Sequence, residues 1–203
     1  MADSTAPSPR ATSNRSTTPQ SSGFSDFISS GWAERVDAEV VPREQAAFAA
    51  ARRERLSQLH IGQRLILPAG SSKVRSNDTD YPFRAHSTFA HVTGWGSDVV
   101  AGSVLVMEPT ASGHDATLYF RPAAGRDTNE FYANPDVGEF WTGPRPSLAN
   151  VATDLGVATA PLADFDAVLD RVDASTLIVR DADRDVTDQV DGRRLLAADS
   201  EAL

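Results

Sequence analysis

Three short apolar runs, each followed closely by proline, constrain the fold of this chain more than any other feature. They lie in the segments QRLILPAG, GSVLVMEP and ATLYFRP. Short apolar runs that end in turn-forming residues are typical of buried strands. The second and third runs are joined by the polar segment TASGHD, which predicts a turn between adjacent strands of one sheet.

A helix is predicted before the first of these strands. The segment REQAAFAAARRERLSQL is rich in strong helix formers, and it follows Pro42, which suits a first helical turn. Apolar residues at helical spacing are expected to face a sheet or core. Those residues are Phe48, Ala51, Leu56 and Leu59. The arginines opposite them are expected to form a solvated face rather than a ligand-binding patch. They are Arg52, Arg53 and Arg55.

Two further helices and a last strand follow the paired strands. SLANVATDLG and PLADFDAVLDRV each begin near a Ser or Asp that can cap a helix, and STLIVR has the character of a strand. Helices that alternate with strands in this way indicate the α/β class.

The composition changes near both ends of the chain. Residues 1–31 are rich in Ser, Thr and Pro and poor in large apolar side chains, which predicts a disordered tail. Phe24, Phe27 and Ile28 are exceptions, and we interpret them as an apolar patch at the end of that tail. The folded domain is expected at 32–180, and the acidic residues 181–203 are expected to form a linker toward a further domain.

Charge and composition exclude several classes of function. A formal net charge of −9 argues against a surface that neutralises nucleic-acid phosphates. The chain has no cysteine, so it has neither disulfides nor a thiolate zinc site, which fits a cytoplasmic protein. It also lacks an apolar run of the length that spans a bilayer and an apolar segment typical of a secretory signal. We therefore expect neither a nucleic-acid partner nor a membrane partner.

The usual catalytic motifs are also missing. There is no G-x-S-x-G elbow and no phosphate-binding GK[ST] loop. His86 and His91 stand five positions apart, which on a helix points them in different directions, so they are poorly placed to share a metal ion. The sequence therefore predicts no catalytic residue and no metal ligand of its own.

The segment RSNDTDYPFRAHSTFAHVTGW, residues 75–95, has a more specific pattern. Phe89 and Val92 continue a helical face that starts at Ala85, and Gly94 can adopt the left-handed conformation that ends a helix. Arg84 lies between apolar neighbours and is expected to pair with Asp78 or Asp80. An ion pair that locks a loop onto a helix explains this segment as well as contact with a ligand does.

Together, these residues resemble the N-terminal domain of Xaa-Pro aminopeptidase, or aminopeptidase P, of the creatinase and prolidase superfamily. The similarity covers about residues 40–180 and continues through SVLVMEP, ATLYFRP and GEFWTGPR. The residues that carry it are Arg75, Ser76, Asp78, Tyr81, Pro82, Phe83, Arg84, Ser87, Phe89, Thr93, Gly94, Glu139, Trp141, Gly143 and Arg145.

The resemblance implies an α/β domain with a mixed sheet flanked by helices. In this family, the N-terminal domain precedes a catalytic domain that holds two metal ions, usually Mn²⁺, and cleaves the bond before proline. The resemblance thus implies that this chain is a non-catalytic domain, which shapes the cleft and makes contacts in a homo-oligomer. The implied partners are its own catalytic domain, further copies of the chain and peptides with proline second.

Site residues follow from the resemblance alone. Trp141 matches a family tryptophan that reaches toward the active site of a neighbouring subunit, although it could equally be a core or interface anchor. Asp78 and Arg145 match polar residues at the cleft or oligomer edge, or belong to an ion-pair framework. Two alternatives remain open. One is a stand-alone interaction module without enzyme activity, and the other is a relative that acts on an Xaa-Pro dipeptide or a guanidino compound.

Overall fold

A computed structural model of the chain describes residues 21–33, 39–76, 79–135 and 137–201. These residues belong to two compact units. The sheet unit comprises residues 37–122 and 146–203, and the aromatic unit comprises residues 1–36 and 123–145.

The described elements follow in chain order. The helices are α1 Ser22–Ser29, α2 Gln45–Leu59, α3 Ser87–Thr93, α4 Glu130–Ala133, α5 Glu139–Thr142, α6 Leu148–Leu155, α7 Asp166–Leu169 and α8 Arg184–Glu201. The strands are β1 Leu65–Pro68, β2 Val74–Ser76, β3 Thr79–Asp80, β4 Val104–Pro109, β5 His114–Phe120, β6 Ala158–Pro161 and β7 Leu177–Ile178. A 3₁₀ helix at Leu162–Phe165 leads directly into α7. No described helix is both long enough and apolar enough to cross a bilayer.

The sheet unit is built on a mixed five-stranded sheet with the order β6-β5-β4-β1-β7. Strands β1, β4 and β5 pair antiparallel, whereas β6 and β7 pair parallel to β5 and β1 at the two edges. The three runs that predicted strands form β1, β4 and β5, and the turn after Pro109 joins adjacent strands. The mixed α/β fold is therefore confirmed.

Side chains on the two faces of this sheet enter two separate cores. Leu65 and Leu67 of β1 face one core together with α3 and α6, whereas Ile66 faces the other together with α7 and α8. The alternation follows from the period of two along a strand. Since both faces are covered, β1 is apolar throughout rather than alternating with polar residues.

Helix α3 and its end agree with the pattern expected for residues 85–94. Phe89 and Val92 are buried, and Gly94 has a φ of 73° in the left-handed region. Helix α6 begins after Ser147, whose hydroxyl accepts a hydrogen bond from the amide of Asn150 at 3.1 Å. In the segment before α3, residues 79–80 form β3, which pairs antiparallel with β2, and residues 77–78 lie outside the described residues.

The prediction of the core face of α2 is wrong for three of its four residues, while Leu56 is partly buried against the first core. Phe48 is 64% exposed and Leu59 is 76% exposed. The buried residues of α2 are Ala46, Ala49, Arg53 and Ser57. Small side chains let the helix approach α3 closely, since a Cβ built on Gly94 would lie 3.3 Å from the Cβ of Ala49.

Arg53 is buried and does not belong to a solvated face. Its guanidinium donates hydrogen bonds to the carbonyl oxygens of Val92, at 2.9 Å, and Gly156, at 3.1 Å. These carbonyls stand at the C-terminal ends of α3 and α6, where unpaired acceptors and the negative end of the helix dipole favour a cation. Burial lowers the pKa of Arg53. The arginine thus ties three helices together.

Both ends of the described chain contain a helix. Residues 22–29, assigned to a disordered tail, form α1, and residues 184–201, assigned to an acidic linker, form α8. Val190 of α8 is buried in the second core. Asp183 caps α8 by accepting a hydrogen bond from the amide of Val186 at 3.2 Å. Residues 1–20 lie outside the described residues.

Candidate functional site

Two single-turn helices, α4 and α5, form the frame of the aromatic unit. Helices this short are not stable alone, because nucleation fixes several residues for one hydrogen bond. Gly138 joins them at close range. A Cβ built on it would lie 2.3 Å from the carbonyl oxygen of Phe131 and 2.7 Å from that of Asn134. Glycine therefore lets α5 begin directly against the carbonyl end of α4.

This close approach brings aromatic rings of both helices together. Six rings pack together in this unit, and we call this set the aromatic cluster. Its members are Phe24, Trp32, Phe131, Tyr132, Phe140 and Trp141. Phe140 lies at its centre, with ring centroids 4.9 Å from Tyr132 and 5.0 Å from Trp141. Its contacts with Trp32 and Phe131 are longer, at 6.0 Å each. All four contacts are edge to face, which is a favourable arrangement for aromatic quadrupoles.

Trp141 is held firmly on one side and open on the other. Its indole N–H donates a hydrogen bond to the carbonyl oxygen of Tyr132 at 2.7 Å, and its ring lies 5.2 Å from the Tyr132 ring at an angle of 38°. The residue remains 48% exposed. Within this chain it therefore presents a large apolar surface in a fixed orientation.

Residues 21–33, which we call the arm, lie against the aromatic cluster. Phe24 of α1 packs edge to face on Tyr132 at 5.1 Å, and Trp32 packs on Phe131 at 5.6 Å. Arg126 donates from Nη1 to the carbonyl oxygens of Trp32, at 3.0 Å, and Ala33, at 2.9 Å. The arm is thus attached both through aromatic rings and through its main chain, and it is more than an apolar patch at the end of a tail.

The three site residues from the sequence have different outcomes. Trp141 lies in α5, and Arg145 follows it in the same unit, where its amide N–H donates to Oε1 of Glu139 at 3.3 Å. Asp78 lies outside the described residues. Arg84 is exposed rather than partly covered, and it pairs with no carboxylate among the residues that the structure describes, Asp80 included.

Three of the four histidines, His60, His86 and His114, have structural partners for their rings. The ring of His114 lies 2.9 Å from the hydroxyl of Ser57 and 2.6 Å from the carbonyl oxygen of Gln63. His86 caps α3 through its Nδ1, which accepts from the amide of Thr88 at 3.3 Å. Within the described ranges, no three His, Asp or Glu side chains are placed to share a metal ion.

The sequence analysis missed the residues that hold Trp141. Tyr132 supplies both a ring and a carbonyl acceptor, and Phe24 lies more than a hundred positions before it in the chain. The adjacent aromatic pairs at Phe131-Tyr132 and Phe140-Trp141 were a visible signal. Their partners in the arm had no periodic pattern from which they could be predicted.

Comparisons with known proteins agree on one family. The sequence model described as "Aminopeptidase P, N-terminal domain" matches residues 48–179. Xaa-Pro aminopeptidase 1 of Streptomyces coelicolor is 37% identical over 175 residues, which are 84% of this chain and 35% of that protein. Xaa-Pro aminopeptidase 2 of the same organism is 43% identical over 138 residues, which are 68% of this chain and 28% of that protein. The chain thus spans about a third of the length of these curated relatives.

Solved structures show the same fold at lower identity. Aminopeptidase P from E. coli superposes with a TM-score of 0.56 at 18% identity, over 77% of this chain and 33% of that chain. Pseudomonas aeruginosa aminopeptidase PepP has a TM-score of 0.54 at 20% identity, over 76% of this chain and 32% of that chain. At these identities the likeness concerns the fold alone.

Proposed function

The chain belongs to the family of aminopeptidase P N-terminal domains, and on this premise we propose that it serves as the non-catalytic N-terminal domain of a manganese-dependent Xaa-Pro aminopeptidase. The enzyme would remove an N-terminal residue that precedes proline. The names of the Streptomyces relatives support this substrate class. Because the chain spans only part of their length, the activity of the whole protein is part of the proposal.

The proposed metal ions are not assigned to the described residues. These residues offer no cluster of three ligands of the required type, and hard cations such as Mn²⁺ need several converging oxygen or imidazole ligands. The two Mn²⁺ ions would supply the hydrolytic chemistry from a catalytic domain. The residues described here would shape the cleft and contribute contacts in a homo-oligomer.

Trp141 is the residue that we propose to contact the substrate, in the cleft of a neighbouring subunit. The observation that carries this proposal is its half-exposed ring, held by the carbonyl of Tyr132. A ring that is already fixed loses little conformational entropy when it packs on a proline ring or a first side chain. Arg145 and Asp78 are proposed to lie at the edge of the same cleft.

The test is Trp141→Ala in the full-length protein, with an Arg-Pro-Pro peptide as substrate and Mn²⁺ present. We expect kcat/KM to fall by about tenfold or more, as the loss of a buried apolar contact predicts. Metal content should not change. Phe48→Ala is the matched control, because Phe48 is an exposed aromatic residue outside the aromatic cluster.

Two results would contradict this role. Unchanged kcat/KM would leave Trp141 without substrate contact. Dissociation of the oligomer in Trp141→Ala, measured by analytical ultracentrifugation, would make it an interface anchor instead. Hydrolysis by the full-length protein also tests the alternative of an interaction module, which the relatives' names do not favour. We include a cytoplasmic location in the proposal, with which a chain without cysteine is compatible.

A further inference from the structure

The arm lies outside the residues that the family model matches, since the match begins at residue 48. It nevertheless contacts the residue that holds Trp141. Tyr132 is packed between the Phe24 ring at 5.1 Å, the Phe140 ring at 4.9 Å and the Trp141 ring at 5.2 Å. Its carbonyl oxygen also accepts the indole N–H. Any movement of Tyr132 would therefore be transmitted to Trp141 through two contacts.

We propose that the arm is a positioning element for Trp141 and that Phe24 acts through Tyr132. Phe24 is a positioning residue, because it touches Tyr132 and not the ring that is exposed. Without the Phe24 ring, one side of Tyr132 loses its packing partner. The Tyr132 carbonyl would then no longer fix the indole in one orientation.

Four hydrogen bonds keep the arm in place, two from Arg126 and two within the arm itself. At its C-terminal end, the carbonyl oxygens of Trp32 and Ala33 accept hydrogen bonds from Arg126. The Trp32 indole N–H donates to the carbonyl oxygen of Ile28 at 2.7 Å, which ties this end back to α1. At its N-terminal end, Ser21 caps α1 by accepting from the amide of Phe24 at 3.3 Å. Phe24 is thus presented from a short helix fixed at both ends.

The matched pair Phe24→Ala and Phe27→Ala tests the proposal on the 203-residue chain. Both changes remove the same ring from the same helix, but Phe27 is 74% exposed and makes no ring contact within the described residues. The chain has three tryptophans, so labelling with 5-fluorotryptophan gives a small set of ¹⁹F NMR signals. The Trp141 signal is assigned by its loss in Trp141→Phe.

We expect Phe24→Ala to shift or broaden the Trp141 signal by more than its linewidth, and Phe27→Ala to leave it in place. Phe24→Tyr keeps the ring and should restore the wild-type signal. Trp95 is buried in the sheet unit and serves as the internal reference for folding. An unshifted Trp141 signal in Phe24→Ala, with the chain folded, would overturn the proposal.

The consequence for catalysis rests on the proposed function of Trp141. In the full-length protein, we expect Phe24→Ala to raise KM severalfold while kcat changes less, because the loosened ring still reaches the substrate but must be ordered on binding. The two claims fail separately. If the Trp141 signal moves in Phe24→Ala but Trp141→Ala has normal kinetics, the proposed function is wrong and the positioning role stands. If the signal does not move, the positioning role is wrong whatever the kinetics of Trp141→Ala.

Discussion

The two units differ in the side chains that they pack. In the sheet unit, most buried side chains are aliphatic, and they come from strands and helices of regular period. In the aromatic unit, the packed side chains are aromatic rings, and they come from single-turn helices and the arm. The sheet unit buries Leu105 and Val106 on opposite faces of one strand. The aromatic unit surrounds Phe140 with four other rings. Strands and helices of regular period can fill a core with side chains from many equivalent positions. The packing of a small aromatic cluster depends instead on the position and orientation of each ring.

Arginines are used in two ways. Arg43 of the sheet unit lies between the carboxylates of Asp98 and Asp154. Arg53 of the sheet unit and Arg126 of the aromatic unit donate instead to main-chain carbonyl oxygens. The first arrangement makes stability depend on the ionisation of carboxylates, while the second fixes backbone segments. The carboxylate pairs of the sheet unit should therefore respond to pH.

The largest effect is expected in the sheet unit, from Phe89→Ala. Phe89 is fully buried in the first core, and removal of a buried phenyl ring leaves a cavity and typically costs about 3–5 kcal/mol. The free energy of unfolding, measured by urea titration with Trp95 fluorescence, should fall by this amount. Phe48→Ala on the exposed face of α2 should change it by no more than about 0.5 kcal/mol. Similar losses in the two variants would contradict the assignment of the buried face of α2.

A smaller and more local effect is expected in the aromatic unit, from Gly138→Ala. The φ of Gly138 is −65°, which any residue can adopt, so the effect of a methyl group is purely steric. It would meet three main-chain carbonyl oxygens at 2.3–2.7 Å, and such overpacking costs about 1–3 kcal/mol. We expect the ¹⁹F signals of Trp32 and Trp141 to shift, because α4 and α5 must move apart.

Gly23→Ala is the control for this steric effect. Gly23 is a glycine of the same unit with no atom within 4 Å of a Cβ built on it, so its replacement should leave both signals in place. If Gly138→Ala gave the wild-type spectrum, the close contact between the two single-turn helices would be refuted.

The sequence predicted the sheet unit well because its burial is periodic. Strands β1 and β4 are covered on both faces and appear in the sequence as unbroken apolar runs. Helix α3 followed from the spacing of Phe89 and Val92, and its end followed from Gly94. In each case, local pattern and tertiary environment agree, which is the condition under which such predictions succeed.

The sequence failed where contact between segments decides burial. In α2, the pattern of large apolar residues predicted which face is buried. The buried residues are instead Ala46 and Ala49, whose small side chains allow close helix packing, and Arg53, which donates to two carbonyl oxygens. Nothing local to α2 reveals the ends of α3 and α6. The same holds for the aromatic cluster, where the partner of Tyr132 comes from a segment that composition assigned to a disordered tail.

The smallest effect concerns the ion pair between Arg43 and Asp98 in the sheet unit. Burial alone would raise the pKa of Asp98, but the hydrogen bond and the positive charge of Arg43 outweigh it and hold that pKa below its usual value. A lowered carboxyl pKa contributes stability that is complete above the unfolded pKa of about 3.9 and is lost as pH falls through the folded pKa. Because the Asp98 side chain is 59% exposed, we expect only about 0.5–1 kcal/mol.

Asp98→Asn removes this titrating group and so measures its contribution. Between pH 6 and pH 2.5, the free energy of unfolding of Asp98→Asn should fall less than that of the wild type by the stated amount. Asp115→Asn is the control, because Asp115 is exposed and forms no ion pair within the described residues. Added salt should reduce the difference in the free energy of unfolding between the wild type and Asp98→Asn at pH 6, since exposed charges are screened. Parallel pH profiles for the wild type and Asp98→Asn would mean that this pair does not stabilise the sheet unit, and the contrast with the aromatic unit would then rest on packing alone.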